Sequence, residues 1–361
     1  MQKSGLKILV IQTAFIGDVV LTTPMLRALR QCHRDAKITV LVKPEAAPFL
    51  EGLPFVDHIL KFDKGKSHKY GGMLNMIRTI RAAKYNVLLS PHQSHRTGIL
   101  ALFSGIPVRY GYKTAGFAKL AYHHRLIREP SKHEIYRLLS FLSDGFCPEL
   151  NQLPTLDSTL ELAESNISSQ KAEHLIKSIT KQNKDSKPIL LAISSVWPTK
   201  RWTPYGFAEL AGLLFDNYQQ EILLIGSKAD SEIAKQVLSI AKQILSPNTV
   251  AHIHNLCGQT DLVTLYSLMR RSLVVVSNDS APVHFGCAAA VPVVAIFGPT
   301  VPAFGYAPIA PRTAVAEIDL YCRPCSTHGS LKCPEKHFRC MRELTAEMVF
   351  EKVKQVLAEP A

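Results

Sequence analysis

Buried-strand patterns and amphipathic stretches alternate along most of this chain. Apolar, β-branched runs at 7–12, 37–42, 56–62, 85–90 and 108–111 read as strands. Helical spacing fills 18–31, 72–83, 95–104 and 133–142, with Pro24 in the early turns of the first and a short helix expected around 45–51. Residues 113–130 interrupt the pattern with Lys, His, Arg and scattered aromatics, and read as a functional insertion. A polar stretch between Cys147 and Lys187 follows, containing Pro148, Pro154 and a charged helix. The series then restarts. Strands at 188–194, 221–225, 250–254, 273–276 and 291–297 alternate with helices over 205–217, 230–245, 261–270 and 281–290. A last helix over 345–357 is expected to pack back across the domain boundary. The alternation predicts an α/β chain with two Rossmann-like domains, each a doubly wound parallel sheet. The expected boundaries are 1–155, a linker with helix at 156–186, a second domain at 187–343 and a C-terminal helix at 344–361.

A length of 361 residues suits two domains, and 47% hydrophobic with 20% charged residues suits folded ones. No apolar run approaches the roughly 20 residues that span a bilayer. The apolar stretch 7–20 is interrupted by Gln12 and Asp18 and no small-residue cleavage site follows. It reads as a buried first strand rather than a signal peptide, and a cytoplasmic location is expected.

Charge sharpens the two halves. Residues 1–150 hold 22 Lys and Arg against 10 Asp and Glu, whereas the rest hold 20 against 19. A basic first half fits an acidic partner: nucleic acid, anionic lipid, or a phosphorylated or carboxylated glycan. Plain solubilisation of the surface fits it too. The eight cysteines also divide. Cys32, Cys147, Cys257 and Cys287 look isolated and read as ordinary buried thiols. Cys322, Cys325, Cys333 and Cys340 form C-x2-C-x7-C-x6-C, with His328 and His337 among them. Structural zinc ligation and unlinked thiols in a tight loop both fit that spacing.

The chemistry-bearing positions fall at strand ends. Segment 273–300 reads strand, Ser277-Asn278-Asp279-Ser280, a helix of small residues, strand, then Gly298-Pro299-Thr300. Backbone N–H groups at such a helix start bind phosphate-bearing ligands. His284 lies one turn later, as a ligand contact or a structural histidine. Ser194, Ser195 and Lys200 follow another strand and suit a diphosphate cradle, or an exposed loop. Gly226 and Ser227 suit a nucleoside contact or a simple turn. Phe15-Ile16-Gly17-Asp18 ends the first strand, where Asp18 can take a proton from a hydroxyl, cap the helix, or both. No G-x-G-x-x-G, Walker or D-x-D motif is present, so dehydrogenase, P-loop and metal-bridged diphosphate readings lose support.

Four ordered motifs now resemble a known family. They are ILVIQTAFIGDVVLTTPMLRALR, VWPTKRWTPYGFAELA, SNDSAPVHFGCAAAVPVVAIFGPT and CRPC…CPEKHFRCMREL. Together they are similar to ADP-heptose–lipopolysaccharide heptosyltransferases, most of all the heptosyltransferase II branch, over nearly the whole chain. The resemblance implies a GT-B fold and an inverting transfer of L-glycero-D-manno-heptose from ADP-heptose to the inner core. It implies Asp18 as catalytic base, and Ser194, Ser195, Lys200, Asp279, Ser280, Ala281 and His284 at the donor. Ser280-Ala281 stands where some relatives carry Thr-Gly, which keeps the backbone donors and alters the sugar contact. Lys113, Lys119, Arg125 and Arg128 are then expected to meet the acceptor, a Kdo/heptose-lipid A molecule. No cofactor is required beyond the candidate zinc at the cysteine cluster. Peripheral contact with the cytoplasmic face of the inner membrane is expected. Two rivals stand beside this reading. A nucleic-acid-binding protein would lack a readout motif here, and another nucleotide-sugar enzyme would share the fold.

Overall fold

The structure is a computed structural model that describes residues 5–63, 71–153, 155–180 and 186–358. Its contacts cluster into two compact units, Met1–Ala163 and Glu164–Ala361.

The first unit alternates β1 (Lys7–Ile11), α1 (Ile16–Cys32), β2 (Lys37–Val42), β3 (His58–Lys61), α2 (Gly71–Ala83), β4 (Val87–Ser90), α3 (His95–Phe103), β5 (Val108–Tyr112), α4 (Ala118–Ala121), β6 (His124–Leu126) and α5 (Glu134–Ser143). All its strand pairs are parallel, in the order β3-β2-β1-β4-β5-β6. Ile8–Ile11 and Val87–Leu89 are buried, as central strands covered by helices on both faces require. The predicted insertion at 113–130 is partly regular. It supplies α4 and the edge strand β6, because His124–Leu126 pairs with β5.

The second unit begins with α6 (Asn166–Thr180) and continues through β7 (Ile189–Ala192), α7 (Pro204–Tyr218), β8 (Ile222–Ile225), α8 (Ser231–Ile244), α9 (Pro247–Ala251), β9 (Ile253–Asn255), α10 (Leu262–Met269), β10 (Val274–Asn278), α11 (Ala281–Ala288), β11 (Val293–Ile296), β12 (Thr313–Ala316), α12 (Arg339–Arg342) and α13 (Ala346–Ala358). Its sheet is again parallel, in the order β12-β11-β10-β7-β8-β9. Counted from its own first strand, this is the same winding as in the first unit. Each sheet therefore reverses direction once, between β1 and β4 and between β7 and β10. Crevices at such switch points, outside the carboxyl ends of the strands, are where doubly wound sheets bind ligands.

Three expectations change. The strand expected at 250–254 is displaced, because Ser246 caps a helix that opens on Pro247 and its hydroxyl accepts the Thr249 N–H at 3.1 Å. The expected linker divides. Asp157 and Glu161 pair with Arg27 in the first unit, whereas α6 binds α10, with Ser168 and Ser267 hydroxyls 3.0 Å apart. Pro154 and the linker's charged end at 181–185 lie outside the described residues. Finally, α13 buries Val349, Phe350, Val353 and Val356 in the core of the second unit.

That core holds Trp202, whose indole N–H donates to the Leu344 carbonyl at 3.0 Å. A Cβ at Gly206 would stand 2.5 Å from the indole ring, so glycine is what lets α7 close over it. Among the described residues no helix is long and apolar enough to cross a membrane.

Candidate functional site at the two sheet switch points

In the first unit, the β1 end turns through Phe15 into α1 and puts Asp18 in the helix's first turn. The Phe15 N–H donates to Asp18 Oδ2 at 3.1 Å, so the carboxylate does cap the helix start. Partial burial is the main force pushing its pKa up from 3.8 to about 6, and the Glu134 charge adds to it. The Phe15 N–H and the Arg128 guanidinium act in the opposite sense. A carboxyl group so poised is mostly ionised at neutral pH yet basic enough to accept a proton. Glu134 is itself buried and is held by Arg128 and by Arg137 Nη1 at 3.0 Å.

Of the four predicted acceptor contacts, Lys113 just after β5, Lys119 on α4 and Arg125 on β6 are exposed. Arg128 is not free in the same way, because it is committed to Glu134. His92 belongs to no motif in the sequence. At the β4 end its Nδ1 lies 2.9 Å from the Thr97 hydroxyl and 3.3 Å from that of Thr13, beside the same switch point.

In the second unit, the predicted donor residues form two connected groups. Ser194 donates to Asp230 Oδ1 at 2.5 Å, and Asp230 Oδ2 accepts both the N–H and the hydroxyl of Ser227, at 2.8 and 2.7 Å. Gly226 makes room for this, since a Cβ there would lie 2.9 Å from Asp230 Cβ. Asp230 is thus the hub of Ser194, Gly226 and Ser227, a role that depends on a partner distant in sequence.

The other group centres on Asp279. Lys200 Nζ lies 2.6 Å from Asp279 Oδ2, and the Thr300 hydroxyl donates to the same oxygen at 2.6 Å. Asn278 ties this segment to its neighbours by accepting the Trp202 N–H at 2.8 Å and donating to the Ala192 carbonyl at 3.3 Å. Ser195 is buried, and its carbonyl accepts from Arg201 Nε at 2.7 Å. At the start of α11, where the sequence predicts an anion-binding turn, few amides are left to donate. Pro282 has no N–H, and the Val283 N–H is taken by the Ser280 carbonyl at 3.1 Å. The Asp279 N–H goes to the Ile296 carbonyl at 2.9 Å, which leaves Ser280 and Ala281 as the amides of that turn. His284 is buried one turn on. Gly286 lets α11 lie against the sheet, since a Cβ there would stand 2.7 Å from Val293 Cγ2.

The cysteine-rich loop clasps this group. Thr199 Oγ1 donates to the Ser330 carbonyl and accepts the Ser330 N–H, both at 2.8 Å. Arg323 is nearly buried and donates to the Gly298 and Thr300 carbonyls, while the Cys325 N–H reaches the Pro299 carbonyl at 2.9 Å. The loop therefore grips both the segment that carries Lys200 and the turn that carries Thr300. Gly329 sits at φ +91, where a Cβ would lie 2.9 Å from Trp197 Cβ. Gly329→Val is expected to cost about 1–3 kcal/mol through that backbone strain, read by thermal unfolding. A midpoint equal to the parent's would show that the loop does not grip Trp197.

Within the loop, the Cys325 thiol donates to the Cys322 carbonyl at 3.1 Å and Cys322 Sγ lies 3.9 Å from His337 Nε2. Burial pushes Cys340 up to about 11, helped by its cysteine neighbours. Among the described residues, however, the set of three ligand atoms mutually within 4.8 Å is a different one, Cys32, Cys147 and Glu149. No three ligand atoms of Cys322, Cys325, Cys333 and Cys340 come that close together. Nor are all four remaining cysteines isolated, since Cys32 and Cys147 meet.

Comparison with known proteins follows the same outline. A family model described as glycosyltransferase family 9 (heptosyltransferase) matches residues 73–336. Lipooligosaccharide heptosyltransferase 2 of Haemophilus ducreyi is 26% identical over 364 residues, covering 98% of this chain and 100% of the relative. Among solved structures, a glycosyl transferase family 9 protein from Veillonella parvula aligns with a TM-score of 0.82 at 23% identity, covering 100% of this chain and 99% of that one. The E. coli ADP-heptose LPS heptosyltransferase II aligns with a TM-score of 0.76 at 23% identity, covering 98% of each. Both likenesses bear on the fold, which is the GT-B arrangement of two parallel six-stranded sheets.

Proposed function

The chain belongs to glycosyltransferase family 9, the heptosyltransferase family, and from that premise we propose an inverting transfer of L-glycero-D-manno-heptose from ADP-heptose to the inner-core heptose of lipopolysaccharide. The observation that carries this reading is the Lys200–Asp279–Thr300 cluster at one switch point, with the raised-pKa Asp18 at the other. Donor and base chemistry thus sit where each sheet can hold a ligand.

Asp18 takes the proton from an acceptor hydroxyl, whose oxygen attacks the anomeric carbon opposite the ADP. The C1–O bond to the diphosphate breaks, and the negative charge passes to ADP. Lys200 and the Ser280 and Ala281 amides lie against that charge and lower the barrier to its departure. Asp279 orients Lys200 rather than acting as the base, because one of its oxygens is already held by Lys200 and Thr300. Ser194, Ser195, Gly226 and Ser227 take the nucleoside and phosphate side of the donor, with Asp230 fixing their positions. His284 lines the sugar end.

Lys113, Lys119 and Arg125 bind the Kdo carboxylates and phosphates of a Kdo/heptose-lipid A acceptor. Arg128 acts behind them by holding Glu134. The same segment exposes Phe117, Leu120 and Ile127, so cations and apolar side chains together suit peripheral contact with an anionic membrane surface. The cysteine loop keeps the Lys200 and Thr300 segments in register through its backbone contacts.

A donor panel tests the proposal. ADP-heptose, UDP-sugars and GDP-sugars are offered with purified core acceptors, and only ADP-heptose is expected to be consumed. Turnover of a UDP- or GDP-sugar instead would move the chain to another nucleotide-sugar reaction. Salt-sensitive nucleic-acid binding without any transfer would overturn the enzyme reading.

A further inference from the structure

Cys32 is the last residue of α1, and Cys147 and Glu149 flank the start of the 3-10 turn Pro148–Gln152. Their three ligand atoms lie within 4.8 Å of one another. Zinc bonds of about 2.3 Å to sulfur and about 2.1 Å to oxygen place tetrahedral ligands somewhat under 4 Å apart, so small side-chain adjustments would close the set. Two thiolates and a carboxylate form a donor set that suits Zn2+ better than the hard cations, which take oxygen ligands.

A second observation points to the same place. His33 follows Cys32, and its ring hydrogen-bonds the Phe146 backbone, next to Cys147. The ring also packs on the Phe146 ring at 4.6 Å, while its Nε2 is buried without a hydrogen-bond partner. A histidine with one ring nitrogen tied to a carbonyl and the other unspent is arranged as metal-binding histidines are. Buried polar atoms without partners are uncommon, and this one belongs to the residue after Cys32 and feels the Glu149 charge.

We propose that Cys32, Cys147 and Glu149 bind one zinc ion in the first unit, with His33 Nε2 or a water in the fourth position. The ion joins the end of α1 to the turn after α5. It acts structurally, far along α1 from the first turn that carries Asp18. It is independent of the cysteine loop in the second unit.

Residue-resolved alkylation of the full chain tests this. Protein stripped with a chelator under reducing conditions is treated with an alkylating agent, with and without added Zn2+, and each cysteine peptide is quantified by mass spectrometry. Zinc is expected to slow modification of Cys32 by about tenfold or more, since metal holds the thiolate. Glu149→Gln and Cys147→Ser are expected to remove most of that protection. Protection at 322–340 is read on separate peptides and does not confuse the result. Equal Cys32 rates with and without zinc would overturn the proposal. So would protection that survives Glu149→Gln, an exposed substitution that remains informative if Cys147→Ser does not fold.

Discussion

Asp18→Asn is expected to lower the transfer rate about 10³-fold while leaving the fold at least as stable as the parent. The amide keeps an oxygen to accept the Phe15 N–H, so the helix start is preserved. What it loses is the charge. Asp18 has its pKa raised from 3.8 to about 6, chiefly by burial and then by Glu134. A carboxyl group raised in the folded state costs stability once ionised. That cost is absent below about pH 4, grows as pH rises, and is complete above about pH 6. Two units correspond to about 3 kcal/mol at most, and solvent at the half-buried carboxylate reduces this to about 1–2 kcal/mol. Urea unfolding should therefore show the Asn variant ahead at pH 7 and level with the parent near pH 4.

The same shift sets the pH profile. The base must be ionised, so kcat/KM should fall as pH drops through about 6. Glu134→Gln removes a negative neighbour, making Asp18 easier to ionise, and should move that limb down by about half to one unit. A limb that stays in place would separate Glu134 from the base. An Asn variant that is inactive but also unfolded would leave Asp18 as a structural cap only.

Much of this arrangement is legible in the sequence. Short uninterrupted runs such as KILVI and ILLA read as covered strands, and the alternation with helices implies the doubly wound sheets. The turns that carry Asp18, Ser194 and Asp279 then fall at strand ends by necessity. The short β12 carries no continuous apolar run, because only half of Thr313–Ala316 is buried. Pro282 was visible in the sequence, yet its effect on the anion-binding turn depends on which amides the neighbouring carbonyls take. Asp230, Asn278 and Thr300 are common polar residues whose roles come from partners far along the chain. The clasp by Arg323 and Ser330, and the meeting of Cys32 with Cys147, are likewise products of the fold.

Lys200→Met should weaken ADP binding about 10–100-fold and also destabilise the second unit, and the two effects have separable causes. Affinity falls because the diphosphate loses a cation with a fixed position. Stability falls because the nearly buried Asp279 carboxylate loses its lysine partner while keeping the Thr300 hydroxyl. Breaking a buried pair from one side costs about 3–5 kcal/mol, and the residual exposure of 13% and 10% lowers the expectation to about 1–3 kcal/mol. Adding Asp279→Asn to Lys200→Met removes the stranded charge, so the double variant should unfold at higher urea than Lys200→Met alone. Its ADP affinity should stay low. Asp279→Asn by itself should weaken ADP less than Lys200→Met, since the lysine remains but is no longer aimed. Calorimetric titration with ADP and urea unfolding on all four proteins complete the cycle. Additive stability losses would mean that the ion pair contributes nothing to the fold. A larger affinity loss for Asp279→Asn than for Lys200→Met would place Asp279 itself against the donor and end its role as the lysine's positioner.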